Sequence, residues 1–249
     1  MGSSNPGNDP WSTANCPYIR KHGAKEYDNS ILERFNYKLQ LTPWLKEGIS
    51  QSALDVAKIG FFPGSDQITI PHFDKDGRLV GIRGRTVCAE DAQVYGKYRP
   101  LTVNKTQYRH PLGMNLYGFN WAKKNISIVK KAIVFESEKS VLMYMSYFGV
   151  ENSIAVACCG SNLSSYQVQL LLDAGATEII VAFDRQFQEI GDSEYKRLTK
   201  NLLKIHEKYK NYATISFIFD KHKITGYKAS PIDEGPEKFL KLFQERIIL

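Results

Sequence analysis

AIVFESEKSVLMYMSYF, residues 132 to 148, decides the fold. Ala132 to Phe135 form a short, wholly apolar run of the kind found in a strand covered on both faces, and Glu136 ends it with a charge. From Ser137 to Phe148 the period changes, and Val141, Leu142 and Met145 fall on one face of a helix. The same alternation recurs downstream. Ile154 to Ala157 reads as a second strand, and Ser164 or Ser165 caps a helix carrying Val168, Leu171 and Leu172. EIIVAF at 178 to 183 is a third strand, and a long amphipathic helix from about Ser193 to Tyr209 leads to a fourth, Thr214 to Phe219. A last helix begins at Pro236 and runs to near Phe243. Strands alternating with helices predict a mainly parallel sheet flanked by helices.

Upstream the texture differs. Ile68, Ile70, Leu79 and Ile82 flank the turn residues DKDG at 74 to 77, which predicts a β-hairpin between Gln67 and Val87. Before it, Ser50 caps a short helix with Ala53, Leu54, Val56 and Ala57, ended by Gly60 and Pro63. Ile31, Leu32, Phe35, Leu39 and Leu41 fall partly at helical spacing until Pro43 interrupts them. The stretch after the hairpin, to about Leu116, mixes Tyr, Arg, Lys, Pro and Gly without a period and reads as an irregular, exposed basic loop. The opening MGSSNPGNDP has almost nothing to bury. The expected division is therefore a disordered leader or expression remnant at 1–29, an α+β subdomain at 30–125 and an α/β domain at 126–249.

A hydrophobic fraction of 43% over 249 residues is enough for a sizeable core, which excludes a largely disordered chain. The formal charge of +7 suits a polyanionic partner. Cys16, Cys88, Cys158 and Cys159 form no CxxC pair and, like the histidines, show no ligand spacing, so no zinc is expected. Adjacent Cys158 and Cys159 read as small buried residues at a strand end in a reducing cytoplasm. The apolar runs fall well short of the roughly 20 residues that span a bilayer, so no membrane is expected.

In a parallel sheet the ligand crevice lies beyond the carboxyl ends of the strands. Glu136, Asp184 and Asp220 each follow a predicted strand. Any one of them alone reads as an ordinary helix cap; their recurrence points to carboxylates gathered around Mg²⁺ or Mn²⁺.

VFESEKSVL at 134 to 142, GSNLS at 160 to 164 and AFD at 182 to 184 resemble, in order and spacing, the motifs of a TOPRIM domain. Upstream, GIS at 48 to 50, IPHFDKDGRLVGIRGR at 70 to 85, KYRP at 97 to 100 and NLYG at 115 to 118 resemble in order the N-terminal subdomain of the DnaG-type primase catalytic core, with a softer likeness to primases of phages and mobile elements. The resemblance implies RNA primer synthesis from ribonucleoside triphosphates on single-stranded DNA, in the company of a replicative helicase. It places the catalytic glutamate at Glu136, which metal binding or proton transfer would employ, and the first aspartate of the AspXaaAsp motif at Asp184. Gln186 stands where that motif has its second aspartate, leaving Asp192 and Asp233 as the acids expected to complete the metal cluster. Arg83 and Arg85 fall in the region that contacts template or nucleotide in that family. Lys97, Arg99 and Arg109 extend the basic track, with Tyr95, Tyr98 and Tyr108 interleaved for stacking. The altered motif keeps a second reading open, a nucleic-acid-binding replication accessory protein with weak or no polymerase activity, ahead of a TOPRIM nuclease. A topoisomerase is not expected at this length.

Overall fold

The computed structural model describes residues 25 to 35 and 41 to 249. Most of the expected leader, together with Cys16 and Leu39, lies outside the described residues. Two sheets organise the molecule. The first is antiparallel, in the order β1 (Gly60–Phe62), β2 (Gln67–Phe73), β3 (Leu79–Thr86) and β4 (Tyr98–Pro100). The turn between β2 and β3 is made by Asp74, whose carboxylate accepts from the Asp76 and Arg78 backbone N–H groups at 2.9 and 3.0 Å, and by Gly77 at φ 82°.

The second sheet has the order β11–β10–β9–β7–β8. Strands β7 (Lys131–Phe135), β8 (Ala155–Ala157), β9 (Glu178–Ala182) and β10 (Thr214–Phe217) are parallel, and β11 (Ile247–Ile248) closes one edge antiparallel to β10. Helices connect and cover them: α1 (Thr42–Lys46), α2 (Gln51–Val56) and α3 (Ala89–Tyr95) precede the second sheet. Next come α4 (Phe119–Val129), α5 (Glu138–Phe148), α6 (Ser165–Asp173), α7 (Ser193–Tyr209) and α8 (Pro236–Gln244). The expected boundary between residues 125 and 126 falls within α4.

Strand alternation sorts the core into layers. Ala132, Val134, Ile179 and Val181 face a cluster with Ile126, Leu171, Leu198 and Leu202 from α4, α6 and α7. Ile133, Phe135, Ile180 and Ala182 face the other way, joining Val141, Leu142 and Met145 of α5 with Trp44, Ile68 and Ile70 of the first half. Helix α5 is therefore packed between the two sheets, which is why Met143 and Tyr144, outside its expected apolar face, are buried as well.

Local signals set the helix starts. Ser50 and Ser164 cap α2 and α6 through their side chains, the latter in a full capping box with Gln167. One expectation holds and one needs correction. The hairpin forms as expected, and all seven residues of its first strand β2 are buried, because Ile68 and Ile70 face the α5 layer while Phe73 packs with Phe35, Leu79 and Ile82. The stretch after the hairpin is not irregular throughout: it forms α3, the edge strand β4 and the small hairpin β5 (Thr102–Val103) with β6 (Thr106–Gln107). Segments of two or three residues are too short to show a period, and Pro100 fits β4 because that strand is an edge.

Candidate active site

Strands β7 and β9 are direct neighbours in parallel register, with Phe135 opposite Ala182, so the residues that follow them emerge on one edge. Glu136 and Asp184 are those residues. The Glu136 carboxylate accepts from the Asp184 backbone N–H, and the Gln186 side-chain amide donates to it at 3.3 Å. Burial nonetheless pushes Glu136 up to about 7. Asp184 goes further, to about 8, first through burial and then through the negative charges of Glu136 and Asp233; Lys139 and Lys97 oppose the shift. Asp184 Oδ1 is buried without a hydrogen-bond partner. An orphaned carboxylate oxygen beside a second desolvated carboxylate, with oxygen donors throughout, fits a hard divalent cation.

Asp233 reaches this neighbourhood from the loop before α8. Its carboxylate accepts from the Ser230 N–H at 2.9 Å and lies 3.6 Å from Lys139 Nζ, which also pairs with Glu47. Asp192 is engaged elsewhere. It is the N-cap of α7, taking the backbone N–H groups of Tyr195, Gln188 and Glu189 at 2.6, 3.0 and 2.9 Å, and these bonds hold its carboxyl below the usual range. Asp220, the third strand-end acid, is buried and satisfied by the Ile224 and Thr225 N–H groups and the Thr225 hydroxyl, each at 2.8 Å. Gln186, in turn, accepts from Arg197 at 3.2 Å, so a guanidinium stands beside the position that lacks an acid.

The basic residues divide. Arg83 and Arg85 share a face of β3. Their guanidinium groups lie 5.0 and 5.9 Å from the Tyr98 ring, with Arg85 also 5.5 Å from Trp44. Arg99 instead pairs with Asp91 at 3.2 Å and lies over Tyr95. Lys97 is exposed, and its charge is felt at Asp184. Arg109 is exposed, and its carbonyl accepts from the Tyr27 hydroxyl at 3.1 Å.

A buried bridge beside this site escaped the sequence. Glu138, 1% exposed, opens α5 and takes Arg83 Nη1 at 2.6 Å and His72 Nε2 at 2.9 Å on the same oxygen. Those contacts hold its carboxyl down to about 2 despite burial, while His72 is kept neutral. The Cys159 thiol is close enough that His72, Glu138 and Cys159 present ligand atoms within 4.8 Å of one another. Arg83 already neutralises Glu138, however, and Cys159 is pushed well above the thiol range, so this cluster is better described as an ion-paired latch between the sheets than as a metal cage. Histidine spacing could not reveal it, because Arg83 and His72 lie 55 and 66 residues from Glu138.

Two sheets joined through a central helix, with carboxylates gathered at the carboxyl edge of the parallel one and arginines of the other alongside, define a class of two-sheet α/β architecture with its crevice at that edge. Within that class the fold is that of the DnaG primase catalytic core. The chain superposes on the zinc-binding and RNA polymerase domains of Aquifex aeolicus primase with TM-score 0.66 at 18% identity, covering 89% of this chain and 60% of that one. The Escherichia coli primase catalytic core gives TM-score 0.62 at 20% identity, with 85% and 74% covered. In sequence, the chain is 35% identical over 231 residues to the SPbeta prophage-derived uncharacterized protein YorJ of Bacillus subtilis strain 168, covering 89% of this chain and 60% of that protein. It thus spans about 60% of the length of the prophage protein and of the Aquifex primase chain. No protein-family model matches. No helix among the described residues is long and apolar enough to cross a membrane.

Proposed function

We propose that this chain carries a TOPRIM-type nucleotidyl-transfer site that extends RNA primers on single-stranded DNA, in the replication of a phage, a mobile element or a bacterial chromosome. The observation that carries the reading is the Glu136–Asp184 pair, two half-buried carboxylates at the ends of adjacent parallel strands, both raised in pKa by burial and Asp184 further by the charge of Glu136. Glu136 and Asp184 would hold Mg²⁺ or Mn²⁺, with Asp233 in support. Bound there, the ion supplies Lewis-acid charge to a triphosphate and lowers the pKa of an attacking hydroxyl. The chain's own residues do the rest. The Gln186 amide and the Asp184 N–H orient the Glu136 carboxylate. Arg85 offers a forked donor to phosphate beside the Tyr98 ring, on which a base can stack, and Arg83 adds its charge from the bridge to Glu138. Lys97 brings positive charge toward the acids from the first sheet. Neighbours of the same fold include a DnaG primase catalytic domain bound to single-stranded DNA, which supports the template assignment; ribonucleoside triphosphates and a helicase partner follow from the same reading.

A second reading rests on Gln186. An amide held by Arg197 replaces an acid at the metal edge, which favours a replication accessory protein that binds single strands with little polymerase activity. Primer synthesis by the purified chain on varied single-stranded templates, with labelled ribonucleotides and Mg²⁺ or Mn²⁺, separates the two. The polymerase reading expects product that disappears in Glu136→Gln while single-strand affinity holds. Binding without product in the parent chain would leave the accessory protein as the account.

A further inference from the structure

Helix α7 carries Lys196, Lys200, Lys204 and Lys208 at successive i,i+4 positions, and all four are exposed. The helix rises 1.5 Å per residue, so they form an inclined ridge about 18 Å long. The opposite face is anchored in the core by Leu198, Leu202, Ile205 and Tyr209. Like charges at this spacing repel, and the acids on the helix do not relieve them: Glu194 pairs with Arg197, and Glu207 with Lys210 at 2.7 Å. Among the described residues none of the four lysines makes an ion pair, whereas Lys75, Lys131, Lys139, Lys223 and Lys238 each do. Lys196 also lies in the first turn, where the helix dipole disfavours a cation. A rigid helix that keeps this repulsion presents a surface for a polyanion.

Two further features say which one. The ridge starts at the acidic crevice, because Arg197, next to Lys196, donates to Gln186, and Gln186 in turn donates to Glu136. Its aromatic rings are already engaged: half-buried Tyr195 packs against Phe187 and Phe219, Tyr209 is buried beneath Lys208, and the exposed apolar side chain between the lysines is aliphatic Leu203. Single strands are held by aromatic rings interleaved with cations, as around Arg83, Tyr98 and Arg85; a bare row of charges at fixed spacing suits the regular backbone of a double helix. We infer that the α7 ridge binds the phosphate backbone of a double-stranded nucleic acid, the RNA–DNA hybrid leaving the crevice, in a contact separate from the single-strand surface at β3 and β4. The choice of hybrid rests on the polymerase reading above; the ridge as a duplex contact does not.

The test compares the parent chain with a quadruple Lys→Gln variant at positions 196, 200, 204 and 208, a change that keeps good helix formers, and with the quadruple Lys→Arg variant. Binding of a labelled 20-base-pair RNA–DNA hybrid and of single-stranded DNA of the same length is measured across a salt series. The ridge predicts at least a tenfold loss of hybrid affinity in the Gln variant and a log Kd against log salt slope shallower by about 2 to 4, with the Arg variant near the parent and single-strand affinity changed less than twofold. An unchanged hybrid slope, equal losses on both ligands, or no hybrid binding by the parent would overturn it. A parent chain that synthesises no primer yet shows the predicted loss on the hybrid would overturn the polymerase reading and leave the ridge standing.

Discussion

Glu136 and Glu138 are two residues apart and in opposite electrostatic situations. Glu136, on the crevice, is pushed up to about 7 by burial, with only the Asp184 N–H and the Gln186 amide in compensation; Glu138, deeper, is pulled down to about 2 by His72 and Arg83. One helical start thus holds a carboxylate left short of positive charge and another supplied with it. Glu136, unsatisfied in charge, is where a ligand would be bound; Glu138, satisfied in charge although its Oε2 is buried without a hydrogen-bond partner, joins the two sheets.

The largest expected effect breaks the satisfied side. Glu138→Ala leaves a buried guanidinium without its counter-charge and should cost about 3 to 5 kcal/mol, read as a loss of stability in urea unfolding. A cost near 1 kcal/mol would mean that Arg83 swings to solvent and that the latch is not structural.

On the unsatisfied side the sign reverses. A carboxylate whose folded pKa is raised contributes stability at low pH that is lost as pH rises through the folded value. Without metal, the parent should therefore lose stability between about pH 4 and pH 8, the window set by Asp184 moving from 3.8 to about 8. Asp184→Asn should escape much of that loss and be more stable than the parent at pH 8.5 by roughly 1 to 3 kcal/mol, by thermal or urea melts in EDTA. Equal pH profiles for the two proteins would place Asp184 in solvent.

Gln186→Asp sharpens the contrast by adding a third carboxylate to the crevice. Mn²⁺ affinity by titration should tighten about tenfold, or roughly 1.4 kcal/mol, with more protons released per ion bound. The smallest effect concerns Asp192. Its capping bonds predict that Asp192→Ala costs about 1 kcal/mol of stability and leaves Mn²⁺ affinity unchanged, whereas a role as metal ligand would weaken it.

These differences show where sequence legibility stops. Period and capping are local, so α7 runs from Ser193 to Tyr209 as its pattern indicates, and Ser50 and Ser164 cap the helices that follow them. Asp192 is equally legible as a cap, since it directly precedes an apolar-periodic helix. The short strands β4 to β6 and β11 carried no local signal, because two or three residues hold no period and pair only where a neighbouring strand offers its edge.

By itself the sequence determined the α/β alternation of the second half, the hairpin of the first, and the positions of Glu136 and Asp184 after buried strands, since each depends on side-chain periodicity over a few residues. Tertiary structure alone decided how those charges behave. Adjacency of β7 and β9 sets one carboxylate against another, and packing α5 between the sheets carries Arg83 and His72, from 55 and 66 residues away, onto Glu138. Burial and counter-charge are properties of that packing, and they separate two glutamates that the chain presents as near twins.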